Sequence, residues 1–218
     1  MIPSGENQNL MGVRYVGCGC REGHIDIKET PGNALGAYLD GAEIVVHGNA
    51  QDATGDTMNA GSIIIHGSTG DACGYAMRGG KIFVKGSAGY RAGIHMKEYN
   101  EKKPELVIGG KAGSFLGEYQ AGGLIVVLGI GFEDTVPVGA FTGTGMHGGA
   151  IYLRTEHLPQ DLPAQVSAEA VTDFSELEPV VRDFCSCFGF DANDILDSKF
   201  YVLHANSKNP YKQLYCPN

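Results

Sequence analysis

The sequence predicts an all-β solenoid, a parallel β-helix of about seven coils followed by a small α-helical C-terminal extension, and two observations carry that prediction. Glycine recurs at a 19-residue step, through Gly48, Gly67 and Gly86 and again through Gly36, Gly55, Gly74 and Gly93. Apolar triplets recur at the same step: Ile25-Asp26-Ile27, Ile44-Val45-Val46, Ile63-Ile64-Ile65 and Ile82-Phe83-Val84. A shared period in both residue types means one short unit repeated and stacked. A helical repeat needs about 33 residues or more for its two helices, whereas this unit is shorter, glycine-rich and built on β-branched residues that favour strands.

Taken in order, residues 1–11 form an N-terminal cap, residues 12–154 the β-helix, and residues 155–218 a linker plus helical extension. A polar insertion from Lys97 to Pro104 delays the fifth triplet, Leu106-Val107-Ile108, by five residues, and Ile125-Val126-Val127 follows at 19. A second insertion within Ile130 to Ala140 adds seven residues before Ile151-Tyr152-Leu153. Side chains of a strand alternate faces, so Ile44 and Val46 point one way and Val45 and His47 the other. The inward set repeats as two aliphatic columns, with Leu39, Met58, Met77 and Met96 lining the opposite wall as filler rather than as ligands. Glycines fall where each coil turns or meets the coil above.

After Arg154 the period stops, and Pro159 and Pro163 mark a connecting segment. Phe174, Leu177, Val181, Phe184, Cys185 and Phe188 recur at three- and four-residue spacings and end at Gly189, which predicts an amphipathic helix over about Ser175–Phe188. Pro179 fits only in its first turn, so the helix begins near Glu178. Asp191 caps a short second helix to Asp197, Phe200 to Leu203 is extended, and the tail from Asn209 to Asn218 docks on something.

Composition excludes several classes. Glycine is 33 of 218 residues without a Gly-x-y triplet, which argues against collagen, and 43% hydrophobic residues argue against disorder. A net charge of −9 opposes nucleic-acid phosphates. The polar N-terminus and the lack of a long apolar run predict an unexported cytoplasmic protein with reduced cysteines. Cys18-Gly-Cys20 has no second pair at zinc spacing, and Cys185 and Cys187 point apart on a helix, so no metal site is expected. Phosphate-loop, hydrolase-elbow and zincin motifs are missing. The string Gly143-Thr-Gly145-Met-His-Gly148-Gly149 precedes a strand where a dinucleotide loop must follow one. Asp52 and Asp71 also align at the repeat step, and turn residues explain them better than carboxylate catalysis does.

Two outer features remain. Val45, Ile64, Phe83, Val107, Val126 and Tyr152 form an apolar outward stripe, to be covered either by the C-terminal helix or by a partner. Beside it runs a cationic ladder of Lys28, His47, His66 and Lys85. The ladder has the chemistry to hold an anion weakly, against the plainer reading of a solvated face.

The runs Gly74-Tyr-Ala-Met-Arg-Gly-Gly-Lys-Ile-Phe-Val84, Gly117-Glu-Tyr-Gln-Ala-Gly-Gly-Leu-Ile-Val-Val-Leu-Gly129 and Gly143-Thr-Gly-Met-His-Gly-Gly-Ala-Ile-Tyr-Leu153 resemble the GXGXG domain, the C-terminal β-helix of the glutamate synthase large subunit. The resemblance covers about Gly12 to Arg154. It implies a right-handed single-stranded parallel β-helix, here free-standing, that supports amidotransferase and FMN-binding synthase modules for glutamine-dependent glutamate synthesis. It implies no catalytic, cofactor-binding or metal residue in this chain, with FMN and an iron–sulfur cluster on partner subunits. A β-helical subunit of formylmethanofuran dehydrogenase is similar too, and a carbohydrate-active β-helix with an outer groove is the alternative of another class.

Overall fold

The computed structural model describes residues 9–206. The cap over residues 1–11 falls mostly outside them, and the tail from Asn209 to Asn218, with Cys216, falls wholly outside. Each apolar triplet lies in a strand: β1 (His24–Ile27), β2 (Asp40–Val46), β3 (Ala60–Ile65), β4 (Lys81–Val84), β5 (Glu105–Ile108), β6 (Ala121–Val127) and β7 (Gly148–Arg154). These pair in parallel, and the registers follow the repeat, joining Ile25 to Ile44, Ile63 to Ile82, Leu106 to Ile125 and Ile125 to Ile151. Next come β8 (Val166–Ala170), α1 (Leu177–Phe188), α2 (Ala192–Leu196) and β9 (Phe200–Ala205).

The all-β β-helix expected from the sequence is corrected at this point. The strands form one nine-stranded mixed sheet, ordered β1-β2-β3-β4-β5-β6-β7-β9-β8, with β9 antiparallel to both of its neighbours and two helices beside it. Two physical reasons account for the difference. The segment opposite each strand is turn rather than strand, because the repeat glycine and the residues two before and two after it adopt left-handed backbone: Arg91, Gly93 and His95 have φ of 58°, 69° and 56°. No extended strand survives three such residues in five. The C-terminal segment, in turn, reverses direction at β9, and β8 falls inside the stretch read as linker.

The turns are nonetheless ordered by their neighbours. Gly36 N–H donates to the Val16 carbonyl, Gly55 to Leu35, Gly74 to Thr54 and Gly93 to Cys73, each at 2.8 Å. In the other direction Ala53 N–H donates to Asp71 O at 2.8 Å and Ala72 N–H to Tyr90 O at 2.7 Å. Buried backbone groups of one turn are thus satisfied by the repeats before and after it. At Gly93 a Cβ would lie 2.4 Å from Ile125 Cδ1, so the side chain is absent because the core needs the space.

Between sheet and turns lies the core, where Ile44, Val46, Ile63, Ile65, Ile82, Val84, Ile125 and Ile151 are fully buried together with Leu39, Met58, Met77 and Met96. The methionine column is interrupted by Gln120, also fully buried, whose Nε2 donates to the Gly123 carbonyl at 3.0 Å. Helix α1 begins at Leu177, with Pro179 in its first turn where amide hydrogens lack helical partners, and ends on Gly189 at φ 74°. Asp191 caps α2 by accepting from Asn193 N–H. Among the described residues no helix is long and apolar enough to cross a membrane.

Candidate functional site

The outward stripe is covered from within the chain. Ile64, Phe83, Val107, Val126 and Tyr152 are buried in a second apolar cluster with Leu177, Val181, Phe184 and Phe200, and Val45 packs partly buried at its margin. Phe184 meets Phe83 edge-on with ring centres 5.9 Å apart. Polar contacts pin the rim of this helical cover. Lys81 Nζ lies 2.5 Å from Asp183 Oδ2 and 3.6 Å from Glu105 Oε2. Burial pushes the Glu105 carboxyl up, with Lys81 opposing; burial also acts to lower Lys81, but the Asp183 and Glu105 carboxylates together hold it above its ordinary value. Tyr152 Oη donates to Glu176 at 2.6 Å, and Glu176 also pairs with Lys103. Burial acts to raise the Glu176 carboxyl, but those two bonds hold it below the usual range.

The ladder is brought together only in its middle. His47 and His66 stack with ring centres 5.4 Å apart and 15° between planes, and His66 meets Phe188 edge-on at 5.2 Å. Lys85 leans over the Phe190 ring at 5.6 Å, and Lys28 is exposed at the other end. His47 Nε2 already contacts a carboxylate of its own chain, Asp26 Oδ2 at 2.9 Å. That hydrogen bond holds Asp26 below the usual carboxylate range. His66 is depressed chiefly by burial and then by His47 and Lys85.

A depressed histidine pKa favours the neutral ring in the folded state, so the unfolded chain takes up its proton first as pH falls. The stability His66 contributes is therefore present above the ordinary value of about 6.5 and is lost below it. Urea midpoints are expected to fall between about pH 7.5 and 5.5, and His66→Gln to flatten the decline. An unchanged slope in the variant would remove His66 from that role.

Among the described residues the cysteines do not gather as the several thiolates that an iron–sulfur cluster takes. Cys73 is fully buried, with its thiol pushed up by burial to about 12, and Cys185 and Cys187 are raised as well, again chiefly by burial. Among the described residues no three His, Cys, Asp or Glu side chains are grouped to hold a metal. The cleft beside the first insertion is lined by Asp40, Asn59, Tyr99, Asn100, Glu101 and Lys102, with Lys102 Nζ 3.7 Å from Asp40 Oδ1.

Across the core from α1, the turns carry an aromatic ridge that the sequence reading passed over. One row joins Tyr90 to Phe115 at 5.2 Å and Phe115 to Phe141 at 4.9 Å; the other joins Tyr75 to His95 at 5.9 Å and His95 to Tyr119 at 5.1 Å. Arg91 sits over Tyr90 and Phe115 and pairs with Glu118 at 2.8 Å. The signal was present: Arg91, His95, Phe115, Tyr119 and Phe141 each stand two residues from a repeat glycine, but the insertions break the plain 19-residue count that would have aligned them.

The comparisons agree with the glycine-centred architecture. The GXGXG motif family model matches residues 7–206, taking in α1, α2, β8 and β9 as well as the repeats. An uncharacterized protein of Methanocaldococcus jannaschii is 47% identical over 221 residues, which cover 97% of this chain and 85% of that relative. On a match that spans the sheet, its turns and its helical cover, the chain belongs to the GXGXG motif family, the domain family of the glutamate synthase alpha subunit.

Proposed function

We propose that this chain is a non-catalytic scaffold subunit of a split glutamate synthase-like complex in the cytoplasm, organising an amidotransferase module and an FMN-binding synthase module. FMN and the iron–sulfur cluster sit on those partners, where glutamine-derived ammonia is used to make glutamate. The observation that supports this reading is the family match over residues 7–206. The architecture is compatible with it, since strands and turns are cross-bonded from repeat to repeat into a body suited to holding other modules at fixed separation.

The test is reconstitution from the two partner modules with and without this chain. Glutamine-dependent glutamate formation is expected to fall by at least about tenfold without it, as ammonia escapes instead of being transferred between positioned modules. An equal coupled rate in its absence would overturn the scaffold role. So would purification of the native chain with a molybdenum or tungsten subunit in place of a flavoprotein.

A further inference from the structure

We infer that the outer edge of β1 pairs antiparallel with the same edge of a second copy of this chain, about a two-fold axis at Ile25, joining two sheets into one. Such a dimer would form whether or not the chain is a scaffold. β1 heads the sheet, and among the described residues no strand pairs with its outer side. Toward β2, the Gly23 carbonyl accepts from Glu43 N–H at 2.9 Å and the Ile27 carbonyl from His47 N–H at 2.8 Å. Backbone groups alternate sides along a strand, so the N–H and C=O of His24 and Asp26 point away from the sheet. An open edge of this kind is a template for another strand. The repeat supplies none upstream. Nineteen residues before Ile25 and Ile27 stand Glu6 and Gln8, where the core columns need apolar side chains.

The sequence along this edge is complementary to itself. In Arg21-Glu-Gly-His-Ile-Asp-Ile-Lys-Glu29, pairing about Ile25 sets His24 opposite Asp26 and Glu22 opposite Lys28, with Arg21 and Glu29 beyond, and repeats each pair on the other side of the axis. His24 and Asp26 then exchange the edge hydrogen bonds, while Ile25 meets its own copy on the core side. His24 and Asp26 already touch Glu43 and His47 at 2.7 and 2.9 Å, so acid and imidazole would alternate in one row across the axis. Among the described residues neither Glu22 nor Lys28 forms an ion pair within the chain. Sliding one strand to either neighbouring register sets Asp26 against its own copy or against Glu22, and carboxylates then oppose each other. A chain of net charge −9 repels its copy at a distance, so charge selects the register while backbone bonds and apolar contact supply the attraction. Leu10, Cys20 and Ile25 pack only partly buried at this end of the core, and Met11, Val13 and Tyr15 of the first repeat are 60%, 42% and 62% exposed. The two-fold axis brings these end surfaces face to face.

The test measures the mass of the full chain by sedimentation from about 1 to about 100 μM, in about 150 mM salt to screen the net charge. Mass is expected to rise toward twice 23.1 kDa. Glu22→Lys and Lys28→Glu each make both copies of their pair repulsive, and each is expected to weaken the dimer about tenfold. Mixing the two single variants, or combining both changes in one chain, restores opposite charges and is expected to recover it. Both positions are exposed, so unchanged far-ultraviolet circular dichroism is expected. Oxidised Ile25→Cys is expected to yield a peptide linked to its own copy through position 25, because residues facing each other in such a pair stand about 4.5 Å apart at Cα, within disulfide reach. A chain that stays monomeric at about 100 μM would overturn the pairing. Mass growing past two copies would mark head-to-tail joining of β1 to the β8 edge and overturn it too. Single reversals without effect, or a mixture that fails to recover, would place the contact elsewhere and overturn the assignment to β1.

Discussion

Replacing Phe184 by alanine is expected to destabilise the protein by about 3–5 kcal/mol and to release the helical cover from the sheet. The ring is fully buried and touches three others, meeting Phe83 at 5.9 Å, Phe188 at 4.8 Å and Phe190 at 6.1 Å between centres. Helix α1 has 12 residues and no side-chain hydrogen bond at its N-cap, so it is too short to persist without tertiary packing. Losing the ring would leave a cavity between helix and sheet and expose Ile64, Phe83, Val107 and Val126 together. The measurement is a urea midpoint alongside binding of a hydrophobic dye, with the midpoint falling and dye binding rising. A midpoint unchanged within error would show that the helix is held by its rim ion pairs instead. Phe83→Asp follows the same logic from the sheet side, because Phe83 is 2% exposed and the carboxylate would be buried without a partner.

The second large effect is expected at Gly61, where alanine should cost about 3–5 kcal/mol or prevent folding altogether. Its φ is +94°, and a Cβ there would stand 2.2 Å from the Ala42 carbonyl oxygen of the preceding repeat. That obstacle is backbone, fixed between the β2–β3 pairs Asp40–Ala60 and Glu43–Ser62, so neither partner can step aside cheaply. Ala53→Gly is the informative contrast. Ala53 already adopts a left-handed φ of 57°, and glycine relieves that strain while loosening the unfolded chain, so a change within about 1 kcal/mol is expected. If Gly61→Ala melts like wild type, contact between repeats is not what excludes side chains from that column.

Much of the sheet could be read from the sequence because period and polarity coincide. The triplets from Ile25-Asp26-Ile27 to Ile151-Tyr152-Leu153 lie in β1–β7 in the expected register, since β-branched residues at a constant step leave only one alignment that buries both columns. Gly189 and Asp191 marked the end of α1 and the cap of α2 for local reasons that tertiary contacts did not override. The solenoid was inferred from the shared 19-residue period of glycines and triplets, which fixes the stacking of repeats but not the wall opposite each strand, where left-handed residues such as Ala34 and Ala72 build turns. Strand β8 went unread because Val166-Ser-Ala-Glu-Ala170 has little β propensity, and its pairing with β9 supplies what the residues lack. The stripe around Phe83 was visible as apolar surface needing a cover. That the cover is α1 depends on how the chain returns after β8, which no local pattern encodes. The ridge was hidden for another reason, in that its rings come from repeats displaced by the two insertions.

The reversal at β9 gives the repeat array a direction. Another repeat would have to add a strand parallel to β7 on its outer side, but that side is already bonded to β9 running the opposite way, with β8 beyond it. Growth of the array by internal duplication is therefore shut off at this edge and open only among the repeats that precede β7. The molecule resembles a ruler whose zero mark is set at the C-terminal edge. Lengthening it upstream would carry the N-terminal repeats farther from that mark while leaving the helical cover and the final turns where they are.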